Sequence, residues 1–95
     1  MVNVRVRTIL NLKEIIGARE TILTVDEGST VNELVELLFE RYGIRLKERM
    51  VDPSGTIHPY LTILKNGREI SFLNGMETKL SEGDVISILP PIGGG

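Results

Sequence analysis

The residues best suited to chemistry stand at the end of the chain. Three consecutive glycines, Gly93 to Gly95, follow Ile92 and the pair Pro90-Pro91. Because glycine has no side chain to bury, packing cannot offset the entropy lost on ordering, and we predict a flexible tail at residues 92–95. From Pro90 onward an extended chain spans about 20 Å at ~3.3 Å per residue. That length can carry the carboxylate of Gly95 into a narrow slot beneath a partner's surface.

Other reactive side chains are scarce. The sequence has no cysteine and a single histidine, His58. Disulfides, thiolate metal sites and catalytic thiols are therefore excluded. With one histidine, a multi-histidine metal site cannot form within the chain, and a Ser-His-Asp triad could use only His58. His58 lies beside Pro59 in a predicted loop, and we interpret it as an ordinary loop-packing residue. The sequence thus predicts neither a catalytic residue nor a metal site.

The composition is typical of one small domain. Ninety-five residues with 41% hydrophobic content suffice for one core and are too few for two. Eleven basic and thirteen acidic residues give a net charge of -2, which predicts no attraction to nucleic acid or to an anionic membrane. No apolar run reaches the roughly 20 residues of a membrane helix, and the N-terminus lacks a signal-peptide layout. We therefore expect a cytoplasmic protein.

Two strands are predicted near the N-terminus. Val2, Val4 and Val6 alternate with polar residues, which is the period of a strand with one buried face. Residues 11–17 interrupt this alternation, and a β-branched run then covers residues 20–25. A hairpin is the simplest prediction for the connection between them.

The strongest helix signal follows this pair of strands. Thr30 and Glu33 form a capping box at its start, and Gly43 is a natural terminator. Four apolar residues with helical spacing form one stripe, namely Val31, Leu34, Val35 and Leu38. We predict that the two leucines of this stripe are the core contacts of the helix. The glutamates on its other side are predicted to form a solvated face.

The second half of the chain predicts further strands joined by turns. Residues 44–60 have no clear period and predict a connecting segment with a turn of helix around 46–50. The pair Asn66-Gly67 predicts a tight hairpin turn between two short strands. A last strand is predicted over 85–89, directly before the prolines. The expected fold class is α+β, with a mixed sheet and one main helix packed across one face.

Several of these segments resemble one known family. The segment Leu80-Ser81-Glu82-Gly83-Asp84, the strand after it, Pro90-Pro91-Ile92 and the terminal glycines are similar to the ending of MoaD/ThiS family ubiquitin-like sulfur carriers. MoaD is the closer match, and the similarity extends to residues 52–55, 65–70 and 73–78. The resemblance implies a β-grasp, ubiquitin-like domain at residues 1–91, followed by the flexible glycine tail at 92–95.

The resemblance also implies a role for the tail. In this family the carboxylate of the terminal glycine, here Gly95, is adenylated by an ATP-using enzyme of the MoeB, ubiquitin-activating type and converted to a thiocarboxylate. Since a carboxylate is a poor electrophile, the acyl-adenylate gives sulfur a leaving group to displace. By resemblance, Pro91, Ile92, Gly93 and Gly94 insert into the partner with Gly95. No cofactor is expected on this chain, because ATP is used by the activating enzyme.

For MoaD-like members the second partner is the MoaE-like large subunit of molybdopterin synthase, which uses the carried sulfur in molybdenum cofactor biosynthesis. This resemblance implies a non-catalytic small subunit, although three glycines stand where the usual ending has two. The same tail can also serve thiazole synthesis, transfer-RNA thiolation or conjugation to lysines. A β-grasp interaction module with an incidental tail is the alternative from another class.

A partner surface is predicted on the sheet itself. Burying the isoleucines of the last strand turns Leu89 outward, and the same alternation turns Leu64 outward from the third strand. Arg5 and Arg7 point outward from the first strand. In a β-grasp sheet the last strand lies between the first and the third. Leu64 and Leu89 are therefore predicted to form an apolar centre near the base of the tail, with the two arginines at its rim.

Overall fold

The structure, a computed structural model, describes residues 1–90, which form five strands, three α-helices and two single-turn 3-10 helices. The strands are β1 (Val2–Thr8), β2 (Glu20–Val25), β3 (Thr62–Lys65), β4 (Arg68–Glu69) and β5 (Val85–Leu89). The helices are α1 (Leu10–Ile16), α2 (Val31–Tyr42) and α3 (Ile44–Met50), and the 3-10 turns are Ile70–Phe72 and Gly75–Glu77. No helix in this range is both long and apolar enough to cross a bilayer.

The five strands form one mixed sheet in the order β2-β1-β5-β3-β4. Strands β1 and β5 are parallel, and the other neighbours are antiparallel. The last strand of the chain therefore lies in the middle of the sheet, between the first and the third, as expected. This arrangement confirms the predicted α+β class and the β-grasp fold.

One side of the sheet, the covered face, packs against α2. Strand residues on this face are buried, namely Val4, Val6, Ile63, Ile86 and Ile88. Leu34 and Leu38 of α2 are both completely buried in the same core. The predicted helix stripe and its two central leucines are confirmed.

The ends of α2 are also as the sequence predicts. Thr30 Oγ1 accepts a hydrogen bond from the Glu33 backbone N–H at 3.3 Å, and Glu33 Oε1 accepts one from the Thr30 N–H at 3.1 Å. These reciprocal bonds satisfy amides that have no partner within the helix. Gly43 follows the helix with a φ of 77°, a conformation that favours glycine.

Strands β1 and β2 pair antiparallel, as the predicted hairpin requires, but the connection between them contains helix α1, which was not predicted. This helix ends at Gly17, whose left-handed conformation has a φ of 88°. A seven-residue helix is marginal by itself, but Leu12 is completely buried in the core. Tertiary packing of this leucine stabilises a helix that local periodicity did not indicate.

The second half of the chain differs in detail. The predicted turn of helix at 46–50 is the longer α3, with Leu46 and Met50 buried. Asn66 and Gly67 have φ angles of 52° and 85°, which confirms the tight hairpin turn. The strand after this turn, β4, has only two residues, because the chain enters a 3-10 turn in which Ile70 is buried.

Candidate functional site

The predicted tail residues Pro91, Ile92, Gly93, Gly94 and Gly95 lie outside the described residues. The described chain ends at Pro90, which is buried and directly follows β5. Because β5 is the central strand, the described chain ends next to the middle of the sheet and not at an edge. The surroundings of β5 are therefore the first place to look for a partner site.

The side of the sheet opposite α2, the open face, brings together the other predicted site residues. Arg7 is the register partner of Ser87 in β5, and Ser87 is in turn the partner of Leu64 in β3. Arg5 is the partner of Val85. All of them alternate with buried residues of the covered face, so their side chains share one surface.

The apolar part of this surface surrounds Ser87. Leu64 lies directly across from Ser87, whereas Leu89 lies across from Thr62, so the two leucines are diagonal neighbours, within reach of each other's side chains. Val85 precedes Ser87 on the same side of β5. Leu64, Val85 and Leu89 are each half-buried. The structure thus places Leu64 and Leu89 on one face with a serine between them, and their role as a partner surface stays a prediction.

The basic rim is fixed by a residue that sequence reasoning missed. Glu20 of β2 contacts both arginines, with Arg5 Nη1 at 3.6 Å and Arg7 Nε at 3.5 Å. Exposed ion pairs of this kind contribute only about 0–1 kcal/mol to stability. Because both arginines contact the same carboxylate, however, their positive side chains lie side by side. Glu20 is the register partner of Arg7. Predicting this contact from the sequence would have required the register of β1 against β2.

A buried carboxylate holds the start of β5 in place. Asp84 Oδ2 accepts a hydrogen bond from the Ser81 N–H at 2.8 Å, which supports the turn before β5. Its Oδ1 accepts from Asn66 Nδ2 at 2.9 Å, and Lys65 Nζ lies 3.6 Å from Oδ2. Asn66 Oδ1 in turn accepts from the Val85 N–H at 2.8 Å. This network joins the β3–β4 turn to the strand that precedes the tail.

The loop after α3 contains the other notable polar groups. Asp52 Oδ1 accepts hydrogen bonds from Ser54 Oγ at 2.6 Å, from the Ser54 N–H at 2.9 Å and from the Thr56 N–H at 3.1 Å. These bonds, above all the one from the Ser54 hydroxyl, lower the pKa of Asp52. His58 is half-buried, with its ring centroid 5.0 Å from that of Tyr60. Within residues 1–90 no cluster of His, Asp or Glu has metal-site geometry.

Comparisons with known proteins agree with this architecture. A ThiS family model matches residues 7–95. The chain is 35% identical over 89 residues to small archaeal modifier protein 3 of Haloferax volcanii, covering 94% of this chain and 95% of that protein. It is 33% identical over 70 residues to sulfur carrier protein CysO of Mycobacterium tuberculosis, covering 72% of this chain and 74% of that protein.

A solved structure gives the same result in three dimensions. The solution structure of small archaeal modifier protein 1 from Methanosarcina acetivorans superposes on this chain with a TM-score of 0.85 at 33% identity. The match covers 100% of this chain and 98% of the other. This relative therefore shares both sequence and fold with the chain.

Proposed function

Because this chain belongs to the ThiS family of ubiquitin-like sulfur carriers, we propose that the carboxylate of Gly95 is adenylated and then thiocarboxylated. An activating enzyme of the MoeB, ubiquitin-activating type joins the carboxylate to AMP from ATP and releases pyrophosphate. Sulfide then attacks the acyl carbon and displaces AMP, leaving a thiocarboxylate. In this scheme the chain is a protein co-substrate, and the catalytic groups and the ATP site belong to the partner.

The position of β5 is the observation that carries this proposal. The central strand ends at Leu89 on the open face, and Pro90 is the last described residue before the tail. A partner that docks on Leu64, Leu89 and the two arginines is thereby placed beside the point where the tail begins. The sequence has no cysteine, so a C-terminal thiocarboxylate is the form in which this chain can carry activated sulfur.

The acceptor that we propose is the pterin precursor of molybdopterin. Here the chain acts in the cytoplasm as the small subunit of molybdopterin synthase, and residues 91–95 insert into a MoaE-like large subunit. The support is the MoaD-like ending of the sequence, from Leu80 to Gly95. The open face would serve the activating enzyme and the large subunit in turn, since one tail cannot occupy both sites at once.

Conjugation to proteins is the second candidate function. The observation that favours it is the near full-length similarity to small archaeal modifier proteins. In that case a lysine amine attacks the activated carbonyl of Gly95 and forms an isopeptide bond. Both functions require the same first step, activation of the carboxylate, and differ only in the nucleophile that follows.

The first step is tested by intact mass spectrometry. After incubation with an activating enzyme, ATP and a sulfide donor, we expect a mass gain equal to replacement of one oxygen by sulfur, located at Gly95. A chain extended by one alanine after Gly95 is the matched control and should gain nothing. An unchanged mass with an activating enzyme proven active on another carrier contradicts the proposal.

The acceptor is tested by offering the pterin precursor and lysine-bearing proteins to the chain in the presence of the activating enzyme, ATP and a sulfide donor. With a MoaE-like subunit and the pterin precursor, the molybdopterin proposal predicts sulfur transfer and return of the terminal carboxylate. Formation of isopeptide-linked products on lysines, with no sulfur transfer to the pterin, supports the modifier function instead. Deleting Gly94 and Gly95 should abolish both reactions while leaving the circular dichroism spectrum unchanged.

A further inference from the structure

Strand β2 forms one edge of the sheet and is paired only with β1. The Thr8 N–H donates to the Arg19 carbonyl at 3.0 Å, whereas the Arg5 N–H donates to the Asp84 carbonyl near β5. The backbone N–H and C=O groups of the even-numbered residues of β1 therefore point toward β2. The antiparallel register then directs the backbone N–H and C=O groups of Ile22 and Thr24 away from the sheet.

These outward groups have no backbone partner within residues 1–90. Natural sheets usually blunt such an edge by making it short or by covering it. The opposite edge follows this rule, because β4 has two residues and leads into a 3-10 turn. In contrast, β2 has six residues, and its Ile22 side chain is 58% exposed.

A groove runs beside this edge, between β2 and α2. One hollow of about 540 Å³ and an adjoining one of about 380 Å³ share Thr24, Leu37 and Glu40 in their walls. Leu37 is half-buried and packs against the core, so it gives the groove an apolar floor. An extended chain added to β2 would place every second side chain over this floor.

The charge of the groove indicates which kind of peptide would bind there. Four acidic residues stand along its walls, Asp26, Glu33, Glu36 and Glu40, against one basic residue, Arg41. Glu33 is engaged in the helix cap, while Glu36 and Glu40 form no ion pair within the described part of the chain. Two copies of this chain joined edge to edge would bring these acidic helices together, which like-charge repulsion opposes.

We propose that the β2 edge binds an extended basic peptide segment of a partner protein by strand addition. The main chain of the peptide pairs with Ile22 and Thr24. On the α2 side, alternate lysine or arginine side chains lie near Glu36 and Glu40, with their aliphatic stems on Leu37. On the other side, the peptide packs on Ile22. This mode gives affinity through backbone bonds and specificity through alternate side chains.

This site does not use the tail, so its test is independent of the proposed function. The probe is a peptide of alternating lysine and valine as long as β2, and the control peptide replaces lysine with glutamate. Amide hydrogen exchange should show new protection at Ile22 and Thr24 when the basic peptide is added, and none when the acidic control peptide is added. Leu23, whose N–H already faces β1, should change little. A chain lacking Gly94 and Gly95 should bind equally well.

Charge reversal in the groove completes the test. The double variant Glu36→Lys, Glu40→Lys should weaken basic-peptide binding at least about tenfold in fluorescence anisotropy. Glu14→Lys, an exposed glutamate on α1, is the matched control and should change it little. Equal binding of the acidic peptide, no protection at Ile22 and Thr24, or protection that instead follows concentration-dependent dimerisation in sedimentation each overturns the proposal.

Discussion

The two faces of the sheet consist of alternate residues in the same strands, yet their side chains meet different surroundings. On the covered face, Val6 and Ile86 are register partners and are at most 1% exposed. On the open face, their neighbours Arg7 and Ser87 are also register partners, and the Arg7 side chain is 51% exposed. Successive residues of one strand thus serve the core and the candidate partner site.

From this difference we predict that stability and recognition can be changed separately in this protein. A side chain on the covered face fills space between the sheet and α2, so its loss leaves a cavity. A side chain on the open face is available to a partner, so its loss is felt mainly in a complex. The predictions below test this division.

The largest effect is expected in the core between the covered face and α2. Leu38→Ala should lower the free energy of unfolding by about 2–5 kcal/mol, because Leu38 is completely buried and its truncation leaves a cavity. Urea denaturation measures the loss. Ile44→Ala is the control, since Ile44 is 65% exposed on α3 and its truncation should cost no more than about 0.5 kcal/mol. A Leu38→Ala midpoint equal to that of the wild type would refute the assigned helix face.

A smaller effect, in binding, is expected on the open face. Leu64→Asp and Leu89→Asp should each weaken binding to the activating enzyme or the large subunit about tenfold, because a charge enters the apolar centre of the interface. Titration calorimetry measures the affinity, and urea denaturation checks that both variants stay folded.

The matched control for these two variants is Ile44→Asp. It introduces the same charge at an exposed apolar residue on the helix side of the molecule, and it should leave the affinity unchanged. If both leucine variants bind as tightly as the wild type, the open face is not the docking surface. The claim that side chains of the open face contribute to partner binding would then be wrong.

The smallest effect is expected at Asp52, on a loop that belongs to neither face. Hydrogen bonds to the carboxylate lower its pKa in the folded state below the usual 3.8. The carboxylate therefore stabilises the fold above the unfolded-state pKa, and this contribution is lost as the pH falls through the folded-state pKa. Urea midpoints of wild type and Asp52→Asn should differ slightly at neutral pH and converge in acid. A difference that grows on acidification would contradict this sign.

Much of the fold was predictable because its signals are local. The alternation in β1, the capping box of α2 and the Asn66-Gly67 turn each depend on residues within a few positions of one another. The outward direction of Leu64, Leu89 and the two arginines followed from strand alternation, and their common surface followed once the β-grasp order was assumed. Their role in binding a partner and the role of Gly95 stay predictions.

The features that local sequence patterns did not predict depend on residues far apart in the sequence. Helix α1 exists because Leu12 is buried in a core built from the whole chain. Asn66 reads as a turn residue, but its side chain also bonds Asp84, 18 positions later. From the sequence, the acidic face of α2 is predicted to be a solvated surface. In the structure it forms one wall of a groove, because it lies beside β2. Sequence periodicity determines which way a side chain faces within its own element, whereas long-range packing decides what it meets there.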